Sequence, residues 1–458
     1  MRIDRVSADD LMSLAEDSGS VPMQVGAVLL LQTSDETDAQ RVLDAIGRRI
    51  SRVPRLRQRL VRVGWGLGRP VWVDDPVFDP ARHLGLARCP EPGGEDTVLK
   101  VAAELLVAPL PKDRPLWTCR LLTDAAPGGA ALIFVFHHVL ADGIGGLAVL
   151  RSLVDVEADA ESADAADATA KRGGAPRRGA PRIGSPPRPE PTGWDLAVDA
   201  AADRMRSLAR LPAALHRLAV ATTELRTARR SRLAASSLNR PTGPTRALAV
   251  VHTPRHQVRA AAHTQGATVN DVVLAAVAAA LRRLLLGRGE RLDEVVVSVP
   301  FATRRQTSAT SLGNQGAVMP ITVPALGPPR DRLGAVTAAT TVAKRQPRGA
   351  STALLGPLFR LLARARLYRR FIDHQRLINT FVSNVHGPDR AVALLGWPVR
   401  AIIPLSAATG NVTVSFAVLS YADELTIALI ADPDAVPDLA QLRGLLEQEI
   451  SVLALLGT

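Results

Sequence analysis

The sequence predicts two mixed α/β halves joined by a segment that builds no core of its own. Three observations lead there. Strand-length apolar runs alternate with helix-length amphipathic runs on both sides of the chain's middle. The 458 residues, 47% of them hydrophobic, are more than one ordinary core accommodates. Between the two alternating stretches, residues 158–170 are alanine and acidic, and residues 171–191 are rich in Pro, Gly and Arg. Such a composition buries too little apolar area to offset its ordering entropy. The expected division is therefore 1–156, a flexible crossover at 157–192, and 193–458. The basic part of the crossover also suits a phosphate-binding tether.

In the first half the runs read as a strand at 27–32, a helix at 38–50 and a strand at 56–63. A helix at about 97–108 and strands at 116–122 and 132–137 follow. The second half reads as strands at 248–252, 295–300, 318–323, 379–383, 412–417 and 425–430, with helices at 268–286, 330–345, 354–371 and 438–455. Residues 196–235 form a long Ala- and Arg-rich stretch, expected to be a helix packed on one side and solvated on the other. In 354–371, leucines at i, i+3, i+4 spacing are flanked by arginines, a pattern that fits a core helix or one lying on a membrane surface.

The most informative stretch ends the strand at 132–137. Bulky apolar residues Leu132 to Phe136 lead into His137 and His138, followed by Asp142 and Gly143. Histidine is the usual side chain for moving protons near neutral pH. Neighbours on a strand point to opposite faces, so one histidine is the chemical candidate and the other a packed, hydrogen-bonded residue. Asp142 suits orienting that base or anchoring the loop, and Gly143 suits a tight turn and close approach of a substrate. Asn270 and Asp271 open an apolar helix behind Thr268, where they fit either capping or a polar role at a site.

Composition narrows the function classes. The formal charge of +12 is almost entirely arginine, with lysine only at Lys100, Lys112, Lys171 and Lys344. It suits anionic lipid surfaces or the phosphates of a coenzyme. Nucleic acid is not expected as a partner, because aromatic residues make up only 3% and no recognition motif is present. Cys89 and Cys119, the only cysteines, make neither a disulfide framework nor a zinc cluster, which fits a reducing compartment. No apolar signal core follows Met1, and the longest apolar runs, such as 272–281, fall short of the ~20 residues that span a bilayer. A soluble protein, or one peripheral to a membrane, is expected.

His137-His138-x-x-x-Asp142-Gly143 resembles the active-site motif of the chloramphenicol acetyltransferase-like, acyl-CoA-dependent acyltransferases, a superfamily that includes peptide-synthetase condensation domains. Within it, the chain resembles the bacterial wax ester synthase/acyl-CoA:diacylglycerol acyltransferases. Val6-Ser-Ala-Asp-Asp10 and Pro22-Met-Gln-Val-Gly26 are similar to that family's opening, with Gln24 where His is usual. Pro115-Leu116-Trp117, Thr268-Val-Asn270-Asp271, Ser311-Leu-Gly313-Asn314, Ser383-Asn384-Val-His386-Gly387-Pro388 and Ser420-Tyr421…Ala431-Asp432-Pro433 follow in the family's order, with His386 replacing a proline.

The resemblance implies two acetyltransferase-like subdomains with a substrate tunnel at their interface. It implies transfer of an acyl group from long-chain acyl-CoA to diacylglycerol or a fatty alcohol, giving triacylglycerol or wax ester. His138 would be the general base, His137, Gly143 and Asp271 would support it, and Asp142 would hold the loop. Asn270 is the candidate oxyanion donor. No metal and no cofactor beyond the acyl-CoA substrate are implied. The rival readings are a carrier-protein-dependent condensation-type acyltransferase and a catalytically silent lipid-binding protein of the same fold.

Overall fold

A strand that is apolar on both faces has to be covered on both faces, and the chain is organised around that requirement. The computed structural model describes residues 3–7, 10–17, 21–33, 39–64, 66–155, 188–209, 236–302, 316–345 and 367–457. The strands are β1 (Asp4–Arg5), β2 (Gln24–Gln32), β3 (Gln58–Val61), β4 (Val71–Asp74), β5 (Leu84–Arg88), β6 (Trp117–Ala126) and β7 (Gly129–His137), then β8 (Ala247–Pro254), β9 (Glu294–Ala302), β10 (Gly316–Pro324), β11 (Thr380–His386), β12 (Ala393–Leu394), β13 (Trp397–Leu405), β14 (Val414–Tyr421) and β15 (Glu424–Ala431). They form one six-stranded sheet in the order β12-β13-β2-β7-β6-β5, a second in the order β10-β9-β11-β14-β15-β8, and a small sheet β1-β4-β3.

In the central strand β7, alternation sorts the side chains into two cores. Leu132, Phe134 and Phe136 pack with Leu29, Trp117 and with Ile46 and Ile50 of the helix Ala39–Ile50. Ala131, Ile133 and Val135 face the other way, onto Leu99 and Leu106 of the helix Gly94–Val107. That second cluster also contains Val250, Ala417, Ala428 and Ile430 from the second sheet, so the two halves meet through a shared apolar core. The opposite face of the second sheet, including Phe416, Val418 and Ile427, packs with the helices Val269–Gly287 and Leu439–Ala454.

Two elements pack across the division drawn from composition. First, β13 leaves the C-terminal section and pairs antiparallel with β2, Ile402 opposite Leu29, extending the N-terminal sheet. Pro398 and Pro404 disguise it in the sequence, since proline ordinarily argues against an interior strand. Second, the helix Gly193–Ala209 lies on the small N-terminal sheet, with Leu196 packed on Val71 and Val73. Arg5 Nε pairs with Asp199 at 2.5 Å and Arg69 with Asp203 at 3.4 Å. The end of the expected crossover is held too, Arg188 against Asp74 at 3.1 Å and Glu190 against Arg59 at 3.0 Å. Most of that crossover, most of the expected helix at 354–371 and the 210–235 part of the long Ala-rich stretch lie outside the described residues. Among the described residues, no helix is long and apolar enough to cross a membrane.

Candidate active site

The end of β7 is fixed before any side chain acts. His137 N–H donates to the Leu116 carbonyl (2.9 Å), and His138 N–H donates to the Met23 carbonyl (2.8 Å). The His137 ring is buried, and its Nδ1 accepts from the Val139 N–H at 3.0 Å. That bond leaves the proton on Nε2, which lies 3.5 Å from Asp17 Oδ1. Asp17 is a residue the sequence did not point to. Burial raises its pKa, but His137, Lys112 and the Met23 N–H outweigh burial and hold the carboxyl below its usual value. His137 is thus the packed histidine of the pair.

His138 keeps partial access to solvent. Desolvation lowers its pKa below 6.5 and the neighbouring His137 ring adds to that, against a hydrogen bond to its own main chain and the charge of Asp142. The ring is therefore neutral at neutral pH and able to take a proton. Asp142 is the N-cap of the helix Gly143–Leu153, its Oδ1 accepting from Gly145 N–H at 2.8 Å. The loop-anchoring role is the one this bond serves. Gly143 opens the helix just after a turn at residues 138–140, without a left-handed φ. A Cβ there would stand 3.0 Å from Val385 Cγ2 of β11, so this close approach of the second half favours glycine.

Neighbouring residues Asn270 and Asp271 divide their work. Thr268 caps the helix Val269–Gly287 in a capping box with Asp271. Asp271 Oδ2 accepts from Thr268 N–H at 2.8 Å, and Oδ1 accepts from the Thr340 hydroxyl at 2.7 Å. Both carboxylate oxygens are engaged in a buried setting, so Asp271 is architectural. Asn270 Oδ1 instead accepts from Asn384 Nδ2 at 3.4 Å, which leaves its own amide N–H groups directed elsewhere. Asn384 sits beside Val385 on β11, so one strand links the Asn270 helix and the histidine loop from its two faces. β11 pairs with β9 only at Thr380 and Phe381, leaving the stretch around Asn384 exposed.

Neither cysteine fits a nucleophile. Burial pushes the Cys119 thiol to about 12 and raises that of Cys89 as well. Among the described residues, no group of three His, Cys, Asp or Glu is placed to hold a metal ion.

The family model for the wax ester synthase/diacylglycerol acyltransferase catalytic domain matches residues 6–273. The chain belongs to this WS/DGAT family. The model for the WS/DGAT C-terminal domain matches residues 312–454. A Mycobacterium tuberculosis relative named probable diacylglycerol O-acyltransferase tgs1 is 29% identical over 442 residues, covering 94% of this chain and 91% of the relative. The solved wax ester synthase/diacylglycerol acyltransferase from Marinobacter aquaeolei VT8 superposes with a TM-score of 0.70 at 22% identity, covering 99% of each chain. The first condensation domain of the calcium-dependent antibiotic synthetase does so with 0.62 at 19% identity, covering 100% of this chain and 96% of that one. These likenesses establish the fold of two chloramphenicol acetyltransferase-like lobes.

Two departures from the WS/DGAT pattern are accommodated locally. Gln24, opposite His137 in the β2–β7 register, caps the end of the helix Gly94–Val107, its Nε2 donating to the Leu106 and Ala108 carbonyls (3.0 and 2.7 Å). His386 bonds Ser420 Oγ at 2.8 Å and lies 3.2 Å from Asp389, which restrains the turn where the family has proline. Gly387 next to it stays glycine because a Cβ would stand 2.4 Å from the Ser420 carbonyl oxygen. The Ser311–Asn314 motif lies outside the described residues.

Proposed function

We propose that this WS/DGAT-family chain esterifies diacylglycerol, a long-chain alcohol or both with the acyl group of long-chain acyl-CoA, using His138 as general base. The observation that carries the reading is His138 itself: backbone-anchored, neutral through desolvation, and partly accessible to solvent. The imidazole takes the acceptor's hydroxyl proton as its oxygen attacks the thioester carbonyl. The tetrahedral intermediate then expels the coenzyme A thiolate, which recovers the proton from the imidazolium. Acyl transfer is direct, and no enzyme nucleophile or cofactor beyond the acyl-CoA substrate enters. Asn270, with its carbonyl oxygen held by Asn384, is positioned as an amide donor toward the oxyanion. His137, Asp142, Gly143 and Asp271 hold these groups in place. The acyl chain would occupy the cleft between the two lobes. Because both acceptors partition into lipid, the enzyme would work in the cytoplasm in peripheral contact with a membrane or lipid droplet.

The test is release of coenzyme A from palmitoyl-CoA with diacylglycerol or hexadecanol as acceptor, with the ester identified by chromatography. His138→Ala is expected to lower ester formation by at least about 100-fold. Its acid limb in the wild type is expected below pH 6.5, since the folded pKa is depressed. Ester formed equally by the variant would overturn the assignment of the base.

A further inference from the structure

We propose that Asp17 is a positioning residue for His138, clamping the main chain on both sides of the base through Met23 and His137; this rests on the acyltransfer reading above. The contacts form a closed circuit. Asp17 Oδ1 accepts from the Met23 N–H at 3.4 Å, and the Met23 carbonyl accepts from the His138 N–H at 2.8 Å. The same Oδ1 lies 3.5 Å from His137 Nε2, and His137 Nδ1 accepts from the Val139 N–H at 3.0 Å. The N–H groups of the two peptide units flanking the His138 α-carbon are thus held by partners that meet on one carboxylate oxygen.

Local structure alone does not call for a carboxylate here. Asp17 directly follows the helix Asp10–Glu16, its N–H donating to the Ser13 carbonyl at 3.2 Å. An anion at that end opposes the helix dipole, and burial adds a desolvation cost. The side chain is only 12% exposed. Burial works against the charge, yet His137 foremost, then Lys112 and the Met23 N–H, keep the carboxyl below its usual value. Exposed Lys112 reaches Oδ2, at 3.5 Å, so Oδ1 is left to Met23 and His137.

A tether for the fold would be redundant at this point. β2 pairs with β7 along its whole length, and Gln24 fastens its start to the Leu106 and Ala108 carbonyls. What Asp17 adds is the orientation of the His137 ring and of the peptide that carries the base. A base moved slightly off its line of proton transfer loses rate while substrate binding is kept.

Three substitutions in the full chain test this. Asp17→Asn keeps an oxygen at the Oδ1 position and removes the charge. Asp17→Glu keeps the charge and displaces the oxygens by one methylene. With palmitoyl-CoA and diacylglycerol or hexadecanol, Asp17→Glu and Asp17→Ala are expected to lower kcat by about 10- to 100-fold at nearly constant KM. Asp17→Asn is expected to stay within about threefold of wild type. In nitrogen NMR spectra of isotope-labelled histidines, the His138 signals, assigned by their absence from His138→Ala, are expected to move in the Glu and Ala variants. They are expected to stay in place in Asp17→Asn, and those of His83, stacked on Trp117, in all three. Wild-type kcat in both Asp17→Glu and Asp17→Ala, or an active Glu variant beside an impaired Asn variant, overturns the proposal. So do His83 signals that move with those of His138, which would make Asp17 a tether for the fold. The Asn and Glu pair decides the matter even if Asp17→Ala does not fold. The spectra need no turnover, so a wild type that forms no ester overturns the acyltransfer reading while the clamp is still decided.

Discussion

Two histidines stand where the halves of this molecule approach each other, and their environments drive them in opposite directions. At the end of β7, His138 is desolvated, and its pKa falls. On β8, His252 lies between two carboxylates, Nδ1 2.7 Å from Glu424 of β15 and Nε2 3.0 Å from Glu95 of the helix Gly94–Val107. Hydrogen bonds to Glu424 and then Glu95 outweigh desolvation and raise it to about 9. His252 is therefore a cation at neutral pH that bridges the two lobes as a clasp, while the His138 ring is neutral. The same side chain is held charged where both nitrogens are committed to carboxylates, and neutral where desolvation prevails.

The sharpest way to break that comparison is to exchange the consequences. His138→Ala is expected to remove at least about 100-fold of activity while the melting temperature stays close to wild type. His252→Gln should do the reverse. Loss of activity in the clasp variant at full stability would mean that His252 belongs to the chemistry.

The adjacent pair on the helix Val269–Gly287 extends the contrast. Asn270→Ala, which removes the proposed oxyanion donor, is expected to lower kcat by about 100-fold, with KM and stability nearly unchanged. Asp271→Ala deletes the capping box and leaves the Thr340 hydroxyl only the Thr337 carbonyl as acceptor, and should cost about 2 kcal/mol of stability. Denaturant titration of the two variants side by side checks the division. Equal destabilisation would return Asn270 to a structural role.

The smallest expected effect is the pH dependence of the clasp. His252 titrates near 9 when folded and has an ordinary value of 6.5. Its stabilisation is therefore complete below pH 6.5 and fades as pH rises through about 9. The groups are about a third exposed, so solvent screening leaves about 1 kcal/mol. Melting temperatures of wild type and His252→Gln should converge above pH 9 and separate below pH 6.5. A constant difference across that range would remove the charge from the clasp.

Local pattern made part of this legible. β7 is announced by its unbroken apolar run, and the capping box by the Thr268-to-Asp271 spacing. The strands at 295–300, 318–323 and 425–430 lie within β9, β10 and β15. What escaped was non-local or masked by composition. β13 carries two prolines and becomes a strand because β2 waits for a partner. The helix Arg255–Thr264 has too few apolar residues for its period to stand out. Asp17 and Glu95 are ordinary surface-type carboxylates in the sequence, and only folding brings them to His137 and His252.

By itself, then, the sequence determined the two α/β halves, the histidine loop and the family, because these rest on periodicity and on residue types a few positions apart. Only the tertiary structure decided which histidine is packed, that Asp271 supports while Asn270 points elsewhere, and that a C-terminal strand completes the N-terminal sheet. Burial and partner geometry set hydrogen-bond roles and pKa direction, and those depend on side chains that the chain brings together from far apart.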